Sequence, residues 1–396
     1  MSRHAVLLFV VAAAFITYLD RVCISVAAPL MQQELSLSAV EMGFVFTVFY
    51  VAYAIFEIPA SWAGDVWGQR KTLIRIVGGW SVFTMLTGLV RGYPSLLVIR
   101  FLFGGAEAGA FPTLSRALAR WFPADERAFA NGLMWTGARL GGAVSPALAV
   151  LAMAWVGWRG AFLMFGSVGL VWVAVCIFWY RDSPTAESPT VRHESLPWRL
   201  LFSRDLLILC ATYFASGFGF QFFVTWLPTY LTREHGLTLQ RSGFYAALPL
   251  LAGAAGCTLG GVISDWITRR SGSTLWGRRL VGAGGFLLGA AGFVAAIRAR
   301  SPEMAVACLA FASGAHDLTL PVVWSTCTDL GGRFGGTAGG WVNLASSLSG
   351  MLAPVASAGL AQWFGSFTAV FWVTTSLYIV GAVLWMFIDP RKPAVT

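Results

Sequence analysis

"AGDVWGQRK", residues 63–71, is a short polar loop between two apolar runs, and "GGVISDWITRR", residues 260–270, interrupts the chain in the same way about two hundred residues later. Each puts an aspartate near the end of an apolar run and a basic pair just beyond it. The first has Asp65 with Arg70 and Lys71, the second Asp265 with Arg269 and Arg270. A second echo has a matching offset: "GWRGAFLMFG" (157–166) and "QWFGSFTAVF" (362–371). Two echoes at half the length of a 396-residue chain point to two similar halves.

The composition says where such halves reside. Hydrophobic residues make up 57% and charged ones only 11%, whereas soluble domains carry about a quarter charged residues. A membrane-spanning helix needs ~20 mostly apolar residues. Apolar runs of that kind fall at roughly 5–28, 41–62, 72–90, 94–118, 129–152 and 161–180, then 206–230, 242–264, 279–297, 303–326, 336–361 and 367–388. Between the sixth and seventh lies a polar stretch with Pro184, Pro189 and Pro197. The expected organisation is therefore a six-helix bundle over 1–180, a cytoplasmic linker over 181–205 and a second six-helix bundle over 206–396. The fold class is all-α integral membrane, with twelve transmembrane helices.

The net charge of +9 does not indicate nucleic acid, because the arginines cluster between apolar runs. Placing the N-terminus in the cytoplasm puts 17 of the 27 basic residues on the cytoplasmic side, so both termini are expected there. The N-terminal run exceeds a signal peptide and lacks a cleavage site, which makes it a retained first helix. Six cysteines form no C-x-x-C and suit packing. Four histidines have no metal-ligand spacing, and neither a nucleophile nor an acid/base constellation is visible, so neither a metal site nor an enzyme is expected.

Ionisable residues inside the spans are the functional candidates, since burying charge in a bilayer is costly. They are Asp20 and Arg21 in "FITYLDRVCISVAAP" (15–29), Glu57, Arg100, Glu107, Arg139, and Asp317 beside His316. Arg100 and Glu107 are seven apart and share a helix face, whereas neighbours such as Asp20 and Arg21 point about 100° apart. One arrangement sends Arg21 into a central cavity and Asp20 toward the fourth span. With both acids ionised, Asp20, Arg21, Arg100 and Glu107 sum to zero; with both protonated they sum to +2. Proton and anion binding would then favour each other, as symport requires. The other reading is a structural salt-bridge cluster. Arg139 is either a second cavity arginine, suited to a larger negative charge, or a snorkelling one directed at the cytoplasm. Gln221, Ser325, Thr326 and Asn343 are candidates for substrate hydroxyls, although Ser and Thr often bond their own helix. Glu57 is assigned to the loop region at the end of span 2, and His316–Asp317 to either proton coupling or structure.

Gly64, Asp65, Gly68, Arg70 and Lys71 spell G-D-x-x-G-x-R-K, which resembles the loop between helices 2 and 3 of the major facilitator superfamily. Six-span parallel repeats with a site between the halves are the architecture this resemblance implies. The loop reads as a latch. Asp65 would pair with an arginine or a helix N-terminus across the halves; the alternative is a solvated turn. Asp265 marks the second copy, without the glycine spacing. "YLDR" (18–21), "RFLFGGAEAGAFP" (100–112), "WFPADERA" (121–128) and "WLPTYL" (226–231) are similar to the anion:cation symporter family, whose members include proton-coupled galactonate, hexuronate and glucarate carriers. The resemblance implies that Arg21 binds substrate carboxylate. It implies that Asp20 and Glu107 are the protonatable acids, that Arg100 pairs with Glu107, that Tyr18 and Tyr53 line the cavity, and that Asn343 hydrogen-bonds substrate.

The expectation is thus a secondary transporter taking up an organic anion, a sugar acid or hydroxylated mono- or dicarboxylate, by proton symport. It would act as a monomer in a bacterial inner membrane. It would need no cofactor besides the coupling proton and no nucleic acid. Two rivals stand beside it: an anion or organophosphate antiporter or facilitator without proton coupling, and a transporter-like membrane sensor. Span 7 contains no arginine, which weighs against phosphate antiport.

Overall fold

The structure is a computed structural model and describes residues 2–182 and 195–391. Of the linker expected over 181–205, residues 183–194, with Pro184 and Pro189, lie outside the described residues. Every regular element among the described residues is helical. α1 (Arg3–Leu35), α2 (Ala39–Trp67), α3 (Gln69–Thr87), α4 (Tyr93–Glu107) and α5 (Ala110–Trp121) lead to the long α6 (Arg127–Trp179). A four-residue α7 (Trp198–Leu201) precedes α8 (Arg204–Gln221), α9 (Leu227–His235), α10 (Leu239–Ser271) and α11 (Thr274–Ile297). α12 (Pro302–Asp317), α13 (Thr319–Gly331), α14 (Gly335–Phe364) and α15 (Thr368–Trp385) complete the chain.

Local sequence explains where helices begin and break. α2 opens with a capping box: Ser38 Oγ accepts from the Glu41 N–H at 3.2 Å, and the Glu41 carboxylate accepts from the Ser38 N–H at 2.8 Å. Nine helical stretches among the described residues are long and apolar enough to cross a membrane. The 53 residues of α6 would measure about 80 Å as one rod, far beyond a hydrocarbon core of about 30 Å. Gly157, at φ 69°, breaks it into two pieces. Trp155, Phe178 and Trp363 are 86%, 89% and 87% exposed, a surface that lipid solvates and water would not.

The chain divides into two compact units. One contains Met1–Trp121, Gly137–Leu196 and Arg333–Gly340; the other contains Phe122–Thr136, Pro197–Gly332 and Trp341–Thr396. In the first unit α4 lies along α2, with Gly104 against the Phe49 carbonyl where a side chain would collide. The same unit seats Gly137 and Gly141 of α6 on the backbone of α1 at Val11 and Phe15. In the second unit α12 lies along α10, with Gly256 on the backbone of Gly314. Small residues permit such approaches, which membrane helices use in place of a hydrophobic driving force. An aromatic core fills the same unit, with Phe222 against Phe371 at 5.0 Å and Phe223 against Phe293 at 5.6 Å between ring centroids.

Candidate functional site

The centre of the first unit is a carboxylate–guanidinium pair. Arg21 donates to Glu107 Oε1 from Nε at 3.0 Å and, more closely still, from Nη2. The Arg21 guanidinium carbon is 5.5, 5.2 and 5.2 Å from the ring centroids of Tyr18, Phe49 and Tyr53. These rings form a cage whose faces favour a cation. Glu107 is buried, whereas the Arg21 side chain keeps 21% of its surface open, so it can meet a ligand without breaking the cage.

A helix break positions the acid. α4 ends at Glu107, Ala108 is extended, and Gly109 has φ +77° before α5 begins. A side chain at 109 would stand 2.7 Å from Ala60 Cβ on α2, so glycine is required twice over. The Gly109 N–H, freed by the break, donates to Glu57 at 3.1 Å. Sequence reading placed Glu57 with the polar loop. It lies eight residues, about 12 Å of helix, before Asp65 and instead holds the α4–α5 break.

Asp20 and Arg100 differ from expectation in instructive ways. Asp20 is 1% exposed, and neither carboxylate oxygen has a hydrogen-bond partner; the Trp80 indole faces it without closing a bond. Arg100 was expected to pair with Glu107. Its guanidinium feels the charge of the Glu107 carboxylate without a direct bond to it, and lies over Phe103 at 4.6 Å and Phe49 at 5.0 Å. Two turns separate it from Glu107 along the axis, and Arg21 arrives from α1 at the level of the acid. Arg139 is only 6% exposed, enclosed by protein rather than reaching for water.

Four further predicted residues belong to the second unit. Asn343 is 8% exposed. Gln221 donates to the Gly350 carbonyl at 3.4 Å. Ser325 donates to its own helix at the Pro321 carbonyl, 2.7 Å, and accepts from Asn131 at 3.4 Å, so its proton is already committed. Thr326 is buried and its hydroxyl has no partner.

Asp65 accepts from the Gly336 and Thr337 N–H groups, at 3.1 and 2.7 Å, and from the Thr337 hydroxyl at 2.8 Å, in the first turn of α14. Arg116 approaches the same carboxylate at 3.5 Å. A carboxylate on a helix N-terminus is favoured by free N–H groups and the helix dipole. Gly64 packs on Thr113, and Gly68 has φ +90° with Asp182 filling the space a side chain would need. Asp182 also accepts from the Arg70 N–H at 2.6 Å, while Lys71 is exposed. Asp265 repeats the device in the second unit, accepting from the Phe129 N–H at 2.7 Å and from Arg278 at 3.1 Å.

The family model described as Major Facilitator Superfamily matches residues 10–348. The chain belongs to the Major Facilitator Superfamily. Members related to it are transporters, not enzymes. The probable sulfoacetate transporter SauU of Cupriavidus necator is 37% identical over 98% of this chain and 94% of its own. The hexuronate transporter of Bacillus subtilis is 30% identical over 100% and 97%. Among solved structures, the E. coli fucose:proton symporter FucP superposes with a TM-score of 0.80 over 98% of this chain and 100% of its own, at 13% identity, which speaks to fold alone. These relatives agree with the likeness to anion:cation symporters.

For this superfamily member, sequence reading missed Phe49, Arg116 and Arg278. Phe49 was legible in principle. Phe46, Phe49, Tyr50, Tyr53 and Glu57 recur at helical spacing and mark one face of α2. Arg278, fully buried and paired with Asp265 and Asp329, looked in the sequence like any basic residue near a membrane surface.

Proposed function

We propose that the chain takes up an organic anion by alternating access, driven by protons moving with it. The reading includes twelve spans, both termini in the cytoplasm and a bacterial inner membrane. The protein acts as a monomer and needs no cofactor besides the proton. The observation that carries it is the bond between Arg21 and Glu107 beside Asp20, whose carboxyl is buried with no hydrogen bond. An ionised Glu107 occupies the cation that an anionic substrate would need. A proton on Glu107 releases Arg21, and a proton on Asp20 removes a second negative charge from the site. Tyr18 and Tyr53 hold the guanidinium in place through either state. The names of the relatives support a small acid, carboxylated or sulfonated, and buried Arg139 suits a substrate with more than one charge.

The test is a thermal-shift screen of the purified protein against sugar acids, hydroxylated mono- and dicarboxylates and small sulfonates, at about pH 5.5 and 7.5. Stabilising acids act more strongly at the lower pH and lose their effect on Arg21→Ala. Stabilisation by neutral sugars or amines, or by acids in the Arg21→Ala protein, overturns the reading.

A further inference from the structure

His316 and Asp317 are a second buried ionisable pair, and the mechanism above does not use them. Both are 1% exposed, at the end of α12. His316 Nδ1 is 3.1 Å from Asp317 Oδ1, and Nε2 is 2.7 Å from Ser216 Oγ on α8. The ring stacks on Tyr378 of α15 at 5.1 Å and meets the edge of Phe286 of α11 at 5.9 Å. On α10, Gly253 leaves room for the Asp317 carboxylate. Among the described residues, the imidazole's hydrogen-bond partners are Ser216 and Asp317 and its ring neighbours are Tyr378 and Phe286; of these, Asp317 and Tyr378 are titratable.

The internal repeat gives this pair its meaning. α10 starts 200 residues after α2, at Leu239 against Ala39; α12 starts 209 after α4, at Pro302 against Tyr93, and α13 starts 209 after α5, at Thr319 against Ala110. Each unit therefore has an irregular turn within a span: extended Ala108 and left-handed Gly109 in the first, and in the second a tightened turn at Leu318, whose backbone stays helical and whose N–H bonds Ala315 at 3.3 Å. Packing confirms the register within each unit: Gly109 at the first turn rests on Ala60, and Leu318 at the second rests on Gly260. In that register His316 stands where Glu107 stands. The first unit fills the place with an acid bonded to a cation, Arg21. The second fills it with a base bonded to an acid, Asp317.

We propose that His316 and Asp317 form a second proton-binding site, which takes up and releases one proton during transport. Its transport role rests on the proton-coupled reading above; its capacity to bind a proton does not. With Asp317 ionised, proton uptake by the imidazole turns a buried net charge of −1 into zero. Release reverses this, with Ser216 holding the other ring nitrogen in either state.

The experiment uses the full chain with His4, His193 and His235 changed to glutamine, so that the imidazole nitrogen spectrum reports His316 alone. The expected result is that the imidazole changes from neutral to protonated on acidification and that Asp317→Asn makes its protonation harder. An imidazole that stays in one state as the pH is varied, or one indifferent to Asp317→Asn, overturns the proposal. In proteoliposomes His316→Gln, which keeps a partner for Ser216, retains substrate counterflow while accumulation responds less steeply to the pH gradient. Unaltered steepness removes the pair from coupling. A wild-type protein whose imidazole titrates but which accumulates nothing on a pH gradient upholds the proton site and refutes proton-driven uptake.

Discussion

Glu107→Gln removes a charge from the site and keeps its shape. In the wild type two guanidinium nitrogens of Arg21 share Oε1, one of them at 3.0 Å. A hydrogen bond to a charged group contributes about 1.5–3 kcal/mol, and removing one partner of a buried ion pair costs about 3–5 kcal/mol. The amide keeps an oxygen in the place of Oε1, so one weaker bond survives and the loss to folding is about 1.5–3 kcal/mol. That same energy no longer competes with substrate for Arg21. At about 1.4 kcal/mol per factor of ten, the anion should bind about ten- to a hundredfold more tightly near neutral pH. In the wild type acidification should do what the substitution does, so affinity rises as pH falls; in the variant that rise should flatten. Calorimetric titration of both proteins with one anion from the screen, from about pH 5.5 to 8, separates the cases. A Glu107→Gln protein that binds no tighter at the upper end, or that gains affinity on acidification as steeply as the wild type, refutes the competition. Transport gives an independent check: the variant should exchange substrate yet fail to accumulate it on a pH gradient.

Gly109→Ala should destabilise by about 2–5 kcal/mol, combining a left-handed backbone with overpacking against Ala60; thermal unfolding in detergent reads it, with Gly43→Ala, which meets nothing within 4 Å, as the neutral control. Glu57→Gln keeps an acceptor for the Gly109 N–H and should behave like the wild type, whereas Glu57→Leu strands that N–H and should cost at least about 1–3 kcal/mol in the same assay. Asp65→Ala removes three hydrogen bonds from the first turn of α14 and should cost about 1–3 kcal/mol, with Asp65→Asn intermediate because it keeps an acceptor without the charge. Equal effects of the two Asp65 variants would assign the stabilisation to charge alone.

Composition and apolar run length made the helical membrane fold legible, because the bilayer leaves few other ways to satisfy a backbone. Asp65 was legible for a similar reason: a carboxylate near a helix end, among glycines and basic residues, has few uses besides capping a helix or pairing with an arginine. The partner of Glu107 was not. Spacing along one helix fixes which face a residue occupies, but the cation that reaches that face comes from another helix. Sequence alone carries no distance between α1 and α4. The break at Gly109 was hidden by its surroundings, since "FGGAEAGAF" offers four glycines or alanines before it and any small residue could serve close packing. Glu57 was misplaced with it, because its function exists only once the break frees a backbone N–H.

The repeat shows why such sites escape a sequence search. The polar loops recur at an offset of 200 residues, but the spans with an irregular turn recur at 209. One offset aligns Asp65 with Asp265 and leaves Glu107 opposite nothing of note. Only the packing of Gly109 on Ala60, and of Leu318 on Gly260, shows that these two spans match. Once they are matched, the residues at the equivalent place differ in sign, an acid in one unit and a base in the other. What the two halves share is therefore a position: a turn seated on a neighbouring helix, left-handed at Gly109 and helical but tightened at Leu318, beside a buried ionisable side chain. Each half equips that position with its own counter-charge, Arg21 for Glu107 and Asp317 for His316. A bare charge there would be costly in both units, so each change of protonation must be matched by a partner gained or released. On the proposed mechanism the partner released in the first unit would be Arg21, the group an anion could then occupy. In the second, protonation would neutralise the pair and set no ligand cation free. Only the first position would then bind cargo.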